Sequence, residues 1–266
     1  MWLILANALD PAGPWLASGL AARTFHPVIR LTEVDLGSAQ IWEHVVGRKL
    51  SWFRLQLADG RWIDSREVAG VINRLHQSPY ARMAAQHGAE HSYAVHEIAA
   101  LLIGCLADTN CIILNSPGGY GPYGDHRRPE DWLVMAAAAG LKVKSPVVPP
   151  PDLRELSGEN DSRSENRLLI IAENVISPDP VDSVPEPVRE AALRLAAASQ
   201  NPLLELHFVH DEFQNWIFHR ALASADLFAA GDAALDGIAS LANLQSFWLD
   251  GKFSRSPFLP DVALNM

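Results

Sequence analysis

A histidine-containing segment is the first place in this sequence where residue types and spacing suggest chemistry. His87-Gly88-Ala89-Glu90-His91 matches the H-x-x-E-H pattern, in which two histidines on one helix face hold a zinc ion beside a glutamate. A zinc-dependent hydrolase is therefore one hypothesis, with Glu165 as a third ligand from elsewhere in the chain. The competing interpretation is a solvated polar helix face, because Gly88 weakens a helix at this position.

A glycine-rich segment matches a second pattern. Gly119, Gly121 and Gly124 have the spacing of the G-x-G-x-x-G dinucleotide fingerprint and follow a predicted strand. That fingerprint also needs a helix that opens at the glycines, so that its N-terminal amides meet the pyrophosphate. Here Pro122 interrupts the motif and the next predicted helix begins only near Pro129. The sequence therefore disfavours NAD or FAD binding.

Arg127 and Arg128 place two cations at the amino end of the helix predicted to begin at Pro129. Guanidinium groups beside a helix N-terminus favour an anion such as a phosphate or a carboxylate. An exposed basic loop, paired with Glu130 and Asp131, explains the same residues equally well. Both interpretations stay open at the level of the sequence.

The elements that must position these residues alternate through the first half of the chain. Short apolar runs without alternation are typical of strands buried on both faces, and Asp59-Gly60 between two such runs indicates a hairpin. Strand, helix and strand in this order predict an α/β fold with a mainly parallel N-terminal sheet flanked by helices. The predicted strands are Trp2–Ala6, Val28–Val34, Ser51–Leu57, Arg61–Asp64, Val71–Leu75 and Cys111–Leu114, and the predicted helices contain Leu16–Ala21, Val95–Leu106 and Pro129–Ala139.

A proline-rich and then polar segment separates this half from the rest. We therefore predict an α/β domain over 1–145, a linker or exposed loop over 146–167, and a smaller α+β region over 168–266. In the third part, the predicted elements are a strand at Leu168–Ala172, a helix through Val188 and Leu195, a hairpin of Leu203–Val209 with Trp216–Phe218, and a helix over Ala233–Leu244.

Charge and composition exclude several classes of function. The chain has 266 residues, with 21 basic and 31 acidic side chains and a net charge of −10. An acidic protein of this kind is not expected to bind nucleic acid, because phosphate contacts need clustered Lys and Arg. The longest apolar run, Ile98–Ala107, is about half the length that a membrane span needs. The two cysteines indicate a reducing compartment, hence a cytoplasmic protein, and Cys105 on an apolar helix face is disfavoured as a nucleophile.

Several segments together resemble a known family. These are Val71-Ile72-Asn73-Arg74-Leu75, the helix that carries Glu97, Ile113-Leu114-Asn115-Ser116-Pro117 and the next helix to Gly140-Leu141. They resemble the N-terminal pre-ATP-grasp domain of the microviridin-type ATP-grasp peptide ligases. A weaker similarity to the second half of an ATP-grasp fold covers Leu168–Ile176, the helix from Val188, Leu203–Leu206 and Trp216–Phe218.

The departures from that family predict a reduced protein. In the family a nucleotide-binding subdomain lies between the two matching parts, whereas Pro149–Asn166 offers only 18 residues here. Asp131-Trp132 stands where a lysine is usual, and Trp216–His219 stands near the place of the magnesium-binding Glu-x-Asn pair. The resemblance therefore implies a shortened, degenerate ATP-grasp-like chain without the ligands that polarise a γ-phosphate.

The expected function is an accessory or binding subunit for a peptide, a small carboxylate or a partner protein. It needs no cofactor, and a homodimer is left open. A surviving site should lie at the carboxyl ends of the parallel strands, with Arg74, Asn115, Arg127 and Arg128 as ligand-binding residues and Glu97 in support. The alternative is an active ATP-dependent carboxylate–amine ligase, with ATP and Mg²⁺ at a rearranged nucleotide site over Gly118–Arg128.

Overall fold

Four parallel strands form the first sheet, sheet A, in the computed structural model, which describes residues 1–48, 51–76, 79, 88–109, 111–117, 127–144, 166–178 and 184–248. In chain order they are β1 (Trp2–Ala6), β2 (Val28–Leu31), β6 (Gly70–Arg74) and β7 (Ile112–Leu114), and they lie in the order β2-β1-β6-β7. All five residues of β1 are buried, as expected of a strand covered on both faces. The predicted mainly parallel N-terminal sheet is confirmed.

Gly70 allows the first residue of β1 to pack closely on its neighbouring strand. Trp2 and Gly70 lie opposite each other in the β1–β6 register, and a Cβ at Gly70 would come within 2.5 Å of the Trp2 ring. The indole therefore lies where a side chain on β6 would otherwise stand.

A small antiparallel sheet, sheet B, is inserted between β2 and β6. It contains β3 (Ile41–Val45), β4 (Trp52–Gln56) and β5 (Trp62–Asp64) in that order. The predicted hairpin between β4 and β5 is confirmed, and Gly60 takes the positive φ of 85° that its turn requires. Two side-chain contacts hold β3 to the rest: Trp42 Nε1 donates to the Leu36 carbonyl at 3.2 Å, and His44 Nε2 lies 2.8 Å from Asp108 Oδ2.

The third sheet, sheet C, is built from the second half of the chain with one strand from the first. Its order is β10 (Asn174–Ile176), β9 (Asn166–Ile171), β11 (Leu203–His210), β12 (Trp216–Leu222) and β8 (Lys142–Val143). Every pair is antiparallel except β12–β8. The α+β character predicted for this region is confirmed.

In the described part of the chain, six α-helices surround the sheets. Apart from α2, each helix is largely apolar, and its apolar side chains pack on a sheet or on another helix. They are α1 (Ala12–Ala21), α2 (Glu33–Gly37), α3 (Gly88–Ala107), α4 (Pro129–Ala138), α5 (Glu186–Ser199) and α6 (Leu227–Trp248), and a single 3₁₀ turn covers Ser65–Glu67.

The largest core lies between sheets A and C. It unites Ile4 and Ile72 of sheet A, Leu16 of α1, Ile171 of sheet C and Leu235 of α6, all of them buried. A second core fills the opposite face of sheet C beneath α4 and α5, and a third lies between sheets A and B and α3. The shared first core places the carboxyl edge of sheet A beside sheet C, which positions the site below.

The structure differs from the sequence prediction at several boundaries. The second strand ends at Leu31 instead of Val34, because Thr32 caps α2 through hydrogen bonds exchanged with Asp35. The last helix begins at Leu227 and contains a non-helical residue at Gly231. Neither β3 nor β8 is predicted by the sequence patterns.

The helix α4 and strand β8 lie before the predicted boundary at residue 145, yet they pack against α5 and β12. The division into 1–145, 146–167 and 168–266 stays a prediction, and the residues from 145 to 165 lie outside the described part of the chain. Within the part that the structure describes, no helix is both long and apolar enough to cross a membrane.

Candidate functional site

The carboxyl edge of sheet A carries a buried ion pair. Strand order reverses between β1 and β6, the position where open α/β sheets usually leave a crevice for a ligand. Here Arg74, the last residue of β6, lies with its Nε 2.9 Å from Oδ2 of Asp10, in the loop after β1. The two side chains are only 9% and 8% exposed. The expected crevice is therefore occupied by side chains of the protein itself.

Arg74 also connects the two large sheets. Its Nη1 donates a hydrogen bond of 3.0 Å to the carbonyl of Ala225, in the loop between β12 and α6. Asp10 in turn accepts from the Ala12 amide at the start of α1. The guanidinium thus has partners on both sides. That Arg74 also binds a ligand stays a prediction.

Asn115 lies at the same edge, directly after β7. It is 2% exposed and has a left-handed backbone with φ of 63°. Its amide Nδ2 donates to the Asn73 carbonyl at 3.2 Å, and Asn73 Nδ2 donates back to the Asn115 carbonyl at 3.0 Å. The Asn115 Oδ1 atom is buried without a hydrogen-bond partner. This reciprocal pair fixes the ends of β6 and β7 relative to each other.

We expect replacement of Asn115 to destabilise the protein in a way that depends on the backbone. Asn115→Ala removes the bond to Asn73 and also places a Cβ residue without a polar side chain at φ of 63°, so we expect a loss of about 2–4 kcal/mol. Asn115→Gly loses the same bond but tolerates the backbone, so its loss should be smaller by about 1 kcal/mol. Urea denaturation followed by tryptophan fluorescence measures both. Equal losses would contradict the assigned backbone strain.

A row of cationic side chains crosses one face of sheet C. The register places His207 of β11 directly opposite Arg167 of β9 and Arg220 of β12, so the three side chains lie side by side on one face. Arg167 is 28% exposed and Arg220 is exposed, whereas His207 is buried. Toward the other end of β11, the same face is covered by α6 through Leu203.

Glu205 lies next to this row, and each of its two carboxylate oxygens contacts another group of the protein. His207 Nε2 is 2.9 Å from its Oε1, and the Asp226 amide donates to its Oε2 at 2.6 Å. Arg220 Nη2 is 3.4 Å from His207 Nδ1. Because a guanidinium only donates, Nδ1 is the acceptor of this contact, and Nε2, beside Glu205 Oε1, carries the ring proton.

The surroundings of Glu205 set its charge state. Burial by itself would raise the pKa of this carboxyl group, but hydrogen bonds from His207 and the Asp226 amide, with the charge of Arg167, outweigh it and hold the pKa below its ordinary value. Glu205 is therefore a carboxylate at neutral pH. Its role here is to hold the loop that begins α6 and to orient His207.

The ligands that Mg²⁺ needs are not present among these residues. Magnesium is bound by carboxylates with free oxygens, and both oxygens of Glu205 are taken. Asp226 pairs with Arg167 at 3.6 Å and accepts from the first amides of α6. Across the described ranges, no group of three Asp, Glu, His or Cys side chains could hold a metal ion. Both described carboxylates beside the row are therefore engaged by donors of the protein itself.

The two predicted anion-binding arginines are each engaged with neighbouring residues. Arg127 Nη1 donates to the Ser199 carbonyl at 3.2 Å, at the end of α5, and its guanidinium lies 5.3 Å from the Trp132 ring. Such a contact neutralises the carbonyl end of a helix. Arg128 is exposed and pairs with Asp131 at 3.3 Å. That either one binds an anion stays a prediction.

Other predicted residues contribute no described contacts. Glu97 is exposed on α3 and makes no hydrogen bond or ion pair that involves the described residues. Burial raises the pKa of the Cys105 thiol to about 12, which agrees with the expectation that it is not a nucleophile. His87, the side chains of Glu90 and His91, Gly119, Gly121, Gly124 and Glu165 lie outside the described residues.

Sequence reasoning missed Asp10, Arg167, Glu205, His207 and Arg220. One signal was available: Glu205 and His207 occupy alternate positions of an otherwise apolar run, which puts both on the same face of a strand. The other members of the row lie on strands 40 and 13 residues away from His207, so only pairing of the strands reveals them.

The fold matches those of several solved structures. The macrocyclase MdnC of Microcystis aeruginosa, bound with its precursor peptide MdnA, gives a TM-score of 0.71 at 11% identity, over 91% of this chain and 99% of that one. A RiPP-associated ATP-grasp ligase of Chryseobacterium gregarium, in complex with ADP and a leader and core peptide, gives 0.69 at 14% identity, over 96% and 98%. The macrocyclase MdnB of Microcystis aeruginosa gives 0.64 at 15% identity, over 91% and 98%.

Sequence comparison alone gives no such link, since no protein-family model and no curated protein matches the chain. The similarity therefore lies in the arrangement of the sheets and helices: the parallel sheet A, the antiparallel sheet C and the helices that cover them. The chain has an ATP-grasp-like fold, as its resemblance to the peptide ligases implied.

Proposed function

We propose that this chain is a peptide-binding protein built on an ATP-grasp-like fold. It holds an anionic group of its ligand on the face of sheet C that carries Arg167, His207 and Arg220. It acts as an accessory subunit that does not itself carry out ATP-dependent ligation and needs no cofactor. The ligand is a peptide, a small carboxylate or a segment of a partner protein. The proposal includes a cytoplasmic location and the division of the chain at 146–167.

The single observation that carries the proposal is the row formed by Arg167, His207 and Arg220. Two arginines that flank a histidine in direct register on one face of a sheet form a basic strip on a protein whose net charge is −10. Glu205 and Asp226 offset the positive charge at the Arg167 end, so the exposed Arg220 is the arginine that this strip presents to a ligand. Arginine forks also fit a carboxylate geometrically. The structural neighbours support the peptide, because two of them are complexes with peptides.

Glu205 supports the absence of ligation. A ligase of this fold must hold Mg²⁺ and the phosphates of ATP, and the nearest carboxylate to the row is already bonded at both oxygens. The short connection between β8 and β9, residues 144–165, also leaves little chain for a nucleotide-binding subdomain. Both points concern residues of this chain and favour binding over catalysis.

Titration of the protein with two synthetic hexapeptides tests the proposal. One carries two glutamates and the other two glutamines, both blocked at their ends. We expect saturable binding of the acidic peptide, and Arg220→Gln should weaken it by about tenfold or more, since a charge-assisted hydrogen bond is lost. The control Arg61→Gln removes an exposed arginine that pairs with Asp59 on sheet B and should bind as the wild type does. Equal binding of both peptides by the wild type would refute the anionic site.

The second candidate is an active ATP-dependent carboxylate–amine ligase with its nucleotide site over Gly118–Arg128. Structural neighbours in complex with ADP favour it. Release of phosphate from Mg-ATP by the purified protein, dependent on a peptide, would establish this alternative in place of the first. Arg127→Ala and Arg128→Ala should then abolish turnover, whereas Arg194→Ala, which removes a similar contact to the Ala139 carbonyl, should not.

A further inference from the structure

Sheet B presents one face to solvent, and its side chains form three rows across the strands. The middle row is charged with alternating sign, and the two outer rows end in apolar side chains on β3. The rows follow from the registers β3–β4 and β4–β5. They are Val45–Trp52, Glu43–Arg54–Asp64 and Ile41–Gln56–Trp62.

Stacked tryptophan and arginine side chains hold this face in a fixed shape. The Arg54 guanidinium lies 4.8 Å from the Trp62 ring and 5.8 Å from the Trp52 ring. The Arg66 guanidinium lies 4.7 Å from the Trp52 ring. Cation–π contacts of this kind restrain both partners. A ligand that binds here meets a surface that is already ordered, which lowers the entropic cost of binding.

β3 is an edge strand of sheet B among the described strands. Among the described strands none pairs with its outer side, and its apolar side chains are exposed: Ile41 by 39%, Val45 by 42% and the following Val46 by 73%. Proteins usually protect such edges with proline, lysine or a bulge. The five residues of β3 include no lysine or proline, and the β3–β4 register is regular. An unprotected edge of this length can accept one more strand.

The charges of the middle row specify that strand. Asp64, at the β5 end, is already bonded by Arg66 through Nε at 2.9 Å. Glu43, at the β3 end, accepts from Arg54 at one carboxylate oxygen, Oε2, and no described residue bonds its Oε1. The next side chain in the row after Arg54 and Glu43 must be basic to continue the alternation of sign. The two flanking rows end in Ile41 and Val45, so we expect apolar side chains at the corresponding positions of the added strand.

We propose that the edge of β3 docks an extended segment of a partner protein, in which Lys or Arg is flanked by an apolar residue two positions away on each side. The segment adds as a fourth strand of sheet B, with its basic residue opposite Glu43. This surface is formed by other elements than the cationic row of sheet C, so the inference does not depend on the function proposed for that row.

A second copy of this chain does not supply the basic side chain that the middle row requires opposite Glu43. If two β3 strands pair with Ile41 opposite Val45, the two-fold axis places both Glu43 carboxylates opposite each other. Like charges in direct register destabilise a strand pair. The occupant is therefore a different polypeptide.

Fluorescence polarisation with two labelled heptapeptides tests the docking site on the full chain. The probes are Ser-Val-Thr-Lys-Thr-Val-Ser and its variant with Glu in place of Lys. We expect the wild type to bind the lysine peptide about fivefold to tenfold more tightly than the glutamate peptide, from one favourable and one unfavourable cross-strand charge pair. In Glu43→Lys the preference should reverse. In Glu43→Gln, which still accepts from Arg54, the two peptides should bind alike.

Two controls make the outcome decisive. Glu173→Lys makes the same charge change in the exposed turn between β9 and β10 and should keep the wild-type preference. Methylation of alternate amides of the lysine peptide removes strand pairing and should abolish binding. Equal affinity of the wild type for both probes, or no saturable binding of either, would overturn the proposal. So would a dimer in sedimentation equilibrium that β3 substitutions dissociate, because it would assign the edge to a second copy.

Discussion

Replacing Arg74 with methionine will destabilise the protein by about 3–5 kcal/mol, because it leaves the buried Asp10 carboxylate without its partner. The carboxylate is 8% exposed and accepts from Arg74 Nε at 2.9 Å. Methionine keeps much of the apolar stem, so the loss reports the charge and the bond to the Ala225 carbonyl. Urea denaturation at neutral pH, followed by tryptophan fluorescence, measures the change.

A double-mutant cycle separates the two parts of that loss. Asp10→Asn removes the charge but keeps an oxygen for the Ala12 amide. The double variant should therefore be more stable than Arg74→Met alone, since no unpaired buried charge remains. A change below about 1 kcal/mol for Arg74→Met, a value typical of surface pairs, would show that the ion pair is not a structural link between the sheets.

Replacing Glu205 with glutamine will cost about 1.5–3 kcal/mol at neutral pH, the range for a hydrogen bond to a charged group. The carboxylate is buried and accepts from His207 and from the Asp226 amide. Glutamine offers one acceptor oxygen in place of two, so one donor loses its partner. Since Asp226 directly precedes α6 and accepts from its first amides, we expect the loss to appear in urea denaturation and in faster amide exchange at the first turn of that helix.

The same variant gives a pH dependence of defined sign. The pKa of Glu205 in the folded protein lies below its ordinary value of 4.5. Its stabilising contribution is therefore complete above that ordinary value and is lost as the pH falls through the lowered one. The difference in unfolding free energy between wild type and Glu205→Gln should be largest near neutral pH and shrink below pH 4.5. Glu212→Gln, at an exposed turn, is the matched control and should show no such change. A difference that is constant with pH would contradict the assigned charge state.

The ion pair between Arg74 and Asp10 shows how much of the site the sequence alone predicts. Arg74 was expected at the carboxyl ends of the parallel strands because Val71–Leu75 resembles a segment of the ATP-grasp peptide ligases, and the structure does place it at that edge of sheet A. Its partner Asp10 lies 64 residues earlier, and nothing local distinguishes that aspartate from others in turns. The pairing depends on the parallel register of β1 and β6, which side-chain patterns do not specify.

The cationic row illustrates the same limit on the other sheet. Arg167, His207 and Arg220 occupy three separate strands, and a shift of one residue in either register would move a member of the row to the opposite face. The glycines of the fingerprint-like segment and the H-x-x-E-H segment, by contrast, can be recognised from the sequence alone. The glycines of the former and the histidine side chains of the latter lie outside the described residues, so the functions that such short motifs suggest stay predictions.

By itself the sequence determined the local elements: the buried strand at Trp2–Ala6, the Asp59-Gly60 hairpin, the helix start at Pro129 and the α/β character of the first half. These depend on apolar periodicity and on backbone preferences, which act over a few residues. Only the tertiary structure decided that β8 joins sheet C, that Arg74 connects two sheets and that Glu205 is held as a carboxylate. Those properties depend on burial and on contacts between distant strands, which exist only once the chain has folded.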